Sequence, residues 1–299
     1  MTRKRKLAYL ALLVNTLVWG AAAPVVKPAL SFITPEQFLF YRFLVASIVS
    51  LPFVLVLMRN AKLKLKDILS IIILELVGTT LILLLTYHAL DLSTALDTSL
   101  IYATAPVFVT LAGIFFLHER QTKTEWRGLL LALAGTIFIT IGPLLVSGFS
   151  LSSGSFKGNA LMVLQNIIWA GYLIAAKRIY RNRSLLLVTG ISFWVGLASF
   201  FLLQLPKGNP FFDLSANLAH PSVFFAVMYM AIAGSIIGAT TYLYGQKLIE
   251  VSEASVFTYL QPLVALPLSV LWLMEPLSWM TVVGTVLIAG GVYLAEFKR

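Results

Sequence analysis

An all-α integral membrane protein, with ten transmembrane helices arranged as two inverted five-helix repeats, is the fold that the sequence predicts. Three observations carry it. Hydrophobic residues make up 59% of the 299 and charged residues only 11%, against about 25% charge in a soluble domain. The chain also overlays on itself. A shift of 156 residues sets Pro106 on Pro262, Glu119 on Glu275, Gly128 on Gly284 and Gly135 on Gly291; a shift of 150 sets Asn15 on Gln165, Trp19 on Trp169 and Lys27 on Lys177. Each repeat makes five crossings, an odd number, so the second must lie upside down relative to the first. Inverted repeats of this kind build carriers whose substrate site lies between the halves.

The spans follow in order from the apolar windows, at roughly 8–30, 36–58, 68–90, 95–117, 127–147, 158–180, 185–205, 222–247, 253–274 and 279–297. Ten spans of about 20 residues, the length that crosses a hydrocarbon core, use about two-thirds of the chain and leave no room for a soluble domain. Residues 1–147 form the first repeat, 148–157 an external polar linker, and 158–299 the second repeat. The basic start, Arg3 to Lys6, opens an uncleaved first span because no small-residue cleavage site closes the long apolar stretch.

Span one carries Asn15 and Trp19 on one face, and span six carries Gln165, Trp169 and Tyr172 on the matching face. Trp and Tyr usually mark the membrane interface; Trp19 and Trp169 fall near mid-membrane, which points to a cavity wall or to packing. Span two contains Arg42, six positions in from the outside, placed either to hold a substrate carboxylate with both prongs of its guanidinium or to reach back to the interface. Span three contains Glu75, about seven positions in, or ~10 Å at 1.5 Å per residue. A carboxylate there is costly and faces water or a partner. It reads as a proton-coupling group or cation anchor, or else as a structural hydrogen bond or an ion pair with an internal-loop lysine. His88, near the outer end of the same span, is a gating or titrating candidate or a satisfied interfacial histidine.

Span four offers Tyr102 one turn before Pro106, and span nine offers Tyr259 and Gln261 before Pro262. Proline frees a carbonyl and kinks a helix, which suits spans that bend during gating. Spans five and ten carry Gly128, Ala132, Gly135, Gly142 and Gly284, Gly290, Gly291, small residues that let helices approach closely in lipid. They read as packing struts or as a homodimer contact.

Order and recurrence of short motifs in both halves resemble the EamA-type branch of the drug/metabolite transporter superfamily. The residues are Trp19-Gly20, Arg42-Phe-Leu-Val-Ala46, Ala105-Pro106 and Leu117-His-Glu-Arg120, then Trp169-Ala170, Gln261-Pro262 and Leu273-Met-Glu-Pro276. The resemblance covers nearly the whole chain. It implies a ten-helix carrier with a central cavity, in a prokaryotic cell membrane, moving small metabolites by alternating access. A carboxylate at position 75 is not a general mark of that family, which makes Glu75 particular to this chain.

The function expected is therefore secondary or facilitative transport of a small organic solute, amino-acid-like or amphipathic, with export as the expected direction. The alternatives are an organic-cation carrier, in which aromatic faces and Glu75 hold the charge, and a lipid scramblase. An enzyme is not expected: the chain has no cysteine, three scattered histidines, no nucleophile arrangement and no phosphate loop, so neither a metal nor a cofactor is implied. The net charge of +10 does not indicate nucleic acid, because the basic residues sit in short connections between apolar runs. Eighteen of the 22 lysines and arginines fall in alternate connections and at the ends, three fall in the others, and Arg42 lies within a span. That bias places both termini in the cytoplasm. With no native thiol to give background, an impermeant maleimide applied to intact cells should label Ser152→Cys and spare Lys64→Cys. The reverse pattern would invert the topology.

Overall fold

The computed structural model describes residues 3–60, 64–118, 122–146, 154–180, 183–207, 211, 213–249 and 256–296. Glu119, Arg120 and most of the 148–157 linker lie outside them, as does the side chain of Lys177. The described residues are helical, and eight helices are long and apolar enough to cross a membrane. In chain order these are α1 (Arg3–Ser31), α2 (Pro35–Val56), α3 (Leu65–Leu92), α4 (Ala95–Phe116), α5 (Lys123–Leu145), α6 (Gly154–Ala176), α7 (Leu186–Gln204) and α8 (Pro221–Gly245). Two shorter apolar helices follow, α9 (Phe257–Trp272) and α10 (Trp279–Leu294). Large apolar side chains such as Leu10, Phe53, Leu263 and Leu271 point outward, as a lipid-facing belt requires.

Lipid tails are as apolar as leucine, so helices in a bilayer hold together by close packing and polar contacts. Both are visible. The tightest seam joins α5 to α10. A Cβ added at Gly135 would stand 2.7 Å from the Gly284 carbonyl oxygen, and one at Gly291 would stand 2.6 Å from that of Gly128. The small residues of the two helices are thus spent on each other within the chain, and a homodimer through these spans would have to use their outer faces. α2 packs on α7, where Gly196 seats the ring of Phe43 and Gly190 seats Val54. α1 packs on α8 and α9, and α6 packs on α3 and α4.

Three helices depart from regular winding. α3 widens by one residue per turn over Leu76–Leu81, α8 over Tyr229–Gly238, and α9 over Leu268–Trp272. α4 breaks after Tyr102 and restarts at Ala105, so that Pro106 occupies its first turn, where a missing N–H costs nothing. α9 likewise restarts at Gln261 with Pro262 in its first turn. His118 and Met274, 156 residues apart, are the two non-glycine residues with positive φ among those described, at 55° and 53°.

Substitution at the α5–α10 seam separates close packing from bulk hydrophobicity. Gly135→Leu should lower the stability of the purified protein by about 1–3 kcal/mol, the usual cost of overpacking. Gly290→Ala, whose added methyl would meet only the Leu131 side chain at 3.5 Å, should leave the melting temperature unchanged or raise it.

Candidate functional site

Backbone groups released by the helix breaks have no water to turn to within a bilayer, so another helix must supply their partners. Asn166 Nδ2 donates to the Ile101 carbonyl at 2.7 Å, at the break of α4. Thr16 Oγ1 donates to the Phe257 carbonyl at 3.0 Å, at the start of α9. Thr16 and Asn166 are 150 residues apart and Ile101 and Phe257 are 156 apart, the two offsets already seen in the sequence. In the widened turn of α8, the Gly234 carbonyl accepts the Trp19 indole N–H at 3.0 Å, and the Gly238 carbonyl accepts Asn15 Nδ2 at 2.9 Å.

Two ions are buried at these widened turns. Arg42 is 8% exposed. Its Nε and Nη2 both donate to Ser235 Oγ at 3.1 Å, and its Nη1 donates to Tyr87 Oη at 2.7 Å. The guanidinium carbon lies 5.4 Å from the Phe43 ring centroid and 5.9 Å from that of Tyr87. Glu75 is 2% exposed. Its Oε1 accepts from the hydroxyls of Tyr172 and Tyr180, each at 2.7 Å, and its Oε2 accepts from Thr79 at 2.6 Å. Neither ion has an oppositely charged partner among the described residues. Gly78-Thr79 and Gly234-Ser235 are again 156 apart: the hydroxyl of one pair meets the Glu75 carboxylate and that of the other the Arg42 guanidinium.

The remaining candidates divide by environment. Trp169 stacks on Tyr172 with ring centroids 5.3 Å apart, and Trp19 lies 5.4 Å from Tyr242. Tyr102 lies within electrostatic reach of Arg42, Tyr87 and Tyr242, and it packs with Tyr259 against one apolar cluster. Gln165 is fully buried, and among the described residues neither of its amide atoms nor Gln261 Nε2 has a hydrogen-bond partner. His88 sits apart at the end of α3, 3.2 Å from Glu36. At that same end of the bundle, Lys27 Nζ caps α3 through the Leu90 and Asp91 carbonyls, and the Glu275 carboxylate accepts the Ala95 and Leu96 N–H groups that open α4.

Sequence reasoning missed Thr79, Tyr87, Asn166, Tyr180 and Ser235. Position 166 lies one residue from the face that was followed, and the offset from Thr16 was the available signal. For Thr79 and Ser235 the signal was the repeated Gly-Thr and Gly-Ser pair. Tyr180 lies eight residues beyond Tyr172, just past the end of the helix, a spacing that pointed to it only once Glu75 was known to face α6.

Comparison with known proteins adds an independent view. A family model described as the EamA-like transporter family matches residues 6–141 and again residues 156–297. An uncharacterized transporter of Archaeoglobus fulgidus is 26% identical over 97% of this chain and 98% of its own. A probable terminal-alkyne amino-acid exporter of Streptantibioticus cattleyicolor is 28% identical over 66% of this chain and 62% of its own. A solved crystal structure covers 98% of both chains at 21% identity with a TM-score of 0.66, which supports the fold alone.

The two tryptophans, equivalent in sequence, differ in bonding. Among the described residues the Trp169 indole N–H has no hydrogen-bond partner. Trp19→Phe should therefore destabilise the purified protein by about 1 kcal/mol, the net worth of one hydrogen bond. Trp169→Phe should leave its melting temperature nearly unchanged.

Proposed function

The chain belongs to the EamA-like transporter family, and from that premise we propose that it moves a small organic solute bearing a carboxylate through a site around Arg42. The architecture we infer is the ten-span, inverted two-repeat one, divided at 148–157, with both termini cytoplasmic. Its support is the helix pairing. α1 packs on α8 and α9 as α6 packs on α3 and α4, while α2 packs on α7 and α5 on α10; exchanging each helix with the one five places on leaves this set of contacts unchanged. Arg42, Tyr87 and Tyr102 come from α2, α3 and α4 and Ser235 and Tyr242 from α8, so the proposed site draws on both halves.

The observation that carries the solute class is the unpaired guanidinium. A buried charge is stable only when paired or fully hydrogen-bonded. Arg42 has five N–H groups, three of which are used, and all three bonds go to neutral hydroxyls. The fork of Nε and Nη2 grips a single serine oxygen where a carboxylate would offer two. The adjoining tyrosine rings, with Trp19 backing Tyr242, suit an apolar or aromatic remainder. An amino-acid-like solute meets these requirements, in keeping with the amino-acid exporter of Streptantibioticus cattleyicolor among the relatives, and export remains the direction we propose. An organic cation fits less well, because the oxygens of Glu75 are already filled by three hydroxyl donors.

Counterflow of radiolabelled solutes in proteoliposomes tests the reading. Amino acids or other carboxylates should exchange, and their amides should not. Arg42→Lys, which keeps the charge and loses the fork, should weaken exchange about tenfold, a loss of about 1.4 kcal/mol of binding. Lipid flipping in the same vesicles without solute counterflow would replace the carrier with a scramblase.

A further inference from the structure

Glu75 takes no part in the solute site proposed above, and its surroundings fit something smaller than a metabolite. It is 2% exposed, and three hydroxyls of the protein itself already bond it. The groups that face it are few. On α3 there is Thr79; α6 supplies Tyr172, and Tyr180 stands just beyond the end of that helix. α7 presents Leu187, Val188, Ile191 and Val195 to the shared core, and none of these titrates. Arg178 is exposed, and Arg183 is bound to Asp67 at 2.7 Å, two turns away at the start of α3. Glu75 therefore reaches no cation among these and binds two hydroxyls of the other half.

We propose that Glu75 is a proton-binding site, and that its occupancy decides whether α3 is tied to α6. This deepens the transporter reading by naming the coupling ion, and rests on that reading for its consequence in transport. The chemistry is one proton added to a carboxylate to give a carboxylic acid, with no other bond made or broken. An ionised carboxylate only accepts hydrogen bonds, whereas the acid must also donate one. Three hydroxyls now donate to Glu75, two of them to Oε1 and one to Oε2, so the proton goes to the open lone pair of Oε2 and the new O–H must find an acceptor among groups that now donate. At least one of the three hydroxyls must reverse its bond, and the acid oxygens, weaker acceptors than a carboxylate, hold the two tyrosines less tightly. The weaker hold loosens the contact between the halves at the point where α3 is already widened, and where Gly78 admits the Tyr172 ring so closely that a Cβ there would overlap it. A sodium ion is the poorer occupant, since oxygens 2.6–2.7 Å apart are hydrogen-bonded neighbours that a metal would have to spread.

Trp169, stacked on Tyr172, is a built-in reporter. Tryptophan emission of the purified wild-type protein should change in one step as pH is lowered, in sodium-free buffer. Glu75→Gln should abolish the step, and Glu75→Asp, which keeps a carboxylate, should retain one. With any solute that exchanges, Glu75→Gln should keep counterflow and lose accumulation driven by a pH gradient. The proposal is overturned by a wild type without a step, by a step that survives in Glu75→Gln, by one that requires sodium, or by gradient-driven accumulation that Glu75→Gln leaves intact. Failure of every carboxylate to exchange would instead defeat the solute assignment, and the titration would still judge Glu75.

Discussion

A bilayer supplies no water to an orphaned peptide group, and that scarcity organises this molecule. A helix that breaks or widens releases carbonyls, and at the breaks of α4 and α9 and in the widened turn of α8 such carbonyls reach side chains on another helix. Thr16 and Asn166 answer the breaks of α9 and α4, and Asn15 and Trp19 answer the widened turn of α8. The polar residues of α1 and α6 are therefore anchor points for irregular backbone first. Irregular backbone is tolerated at membrane depth only where protein or a cavity covers it, and the proposed solute site lies beside it.

The two buried ions follow the same economy. Each is met by hydroxyls rather than by a countercharge: Arg42 by Ser235 and Tyr87, and Glu75 by Thr79, Tyr172 and Tyr180. A salt bridge would neutralise them permanently. Hydroxyls, which donate or accept by rotating, can hold an ion and release it without leaving a bare charge. Ser235 also donates to the Met230 carbonyl, so the hydroxyl that meets Arg42 belongs to the widened turn itself.

The apolar helices were legible in the sequence because apolar length is a strong signal, and the recurring motifs were legible because prolines, glycines and tryptophans return at fixed offsets. Arg42 and Glu75 stood out for the same reason, as charges where charge is costly. What could not be read was which groups each would find. Sequence periodicity assumes regular winding, and a turn widened by one residue rotates everything beyond it by about 100°, enough to carry Tyr87 or Ser235 off the face where a regular helix would place it. Lys27 was readable as an anchor, while its partners, two carbonyls at the end of α3, required the assembled bundle.

The α5–α10 seam bears on how the protein is made. The glycine face of α5 has its match in a helix that begins at Trp279, so α5 enters the membrane long before its partner has been synthesised. α1 is in a similar position: Asn15, Thr16 and Trp19 await α8 and α9. Neither half can complete its own interior, and the first five helices must pass through an interval in which polar side chains and a glycine groove face lipid or the insertion machinery. Assembly of this bundle is a closing step at the end of translation, and a ribosome that stalls before α10 leaves behind an unfinished seam for quality control to recognise.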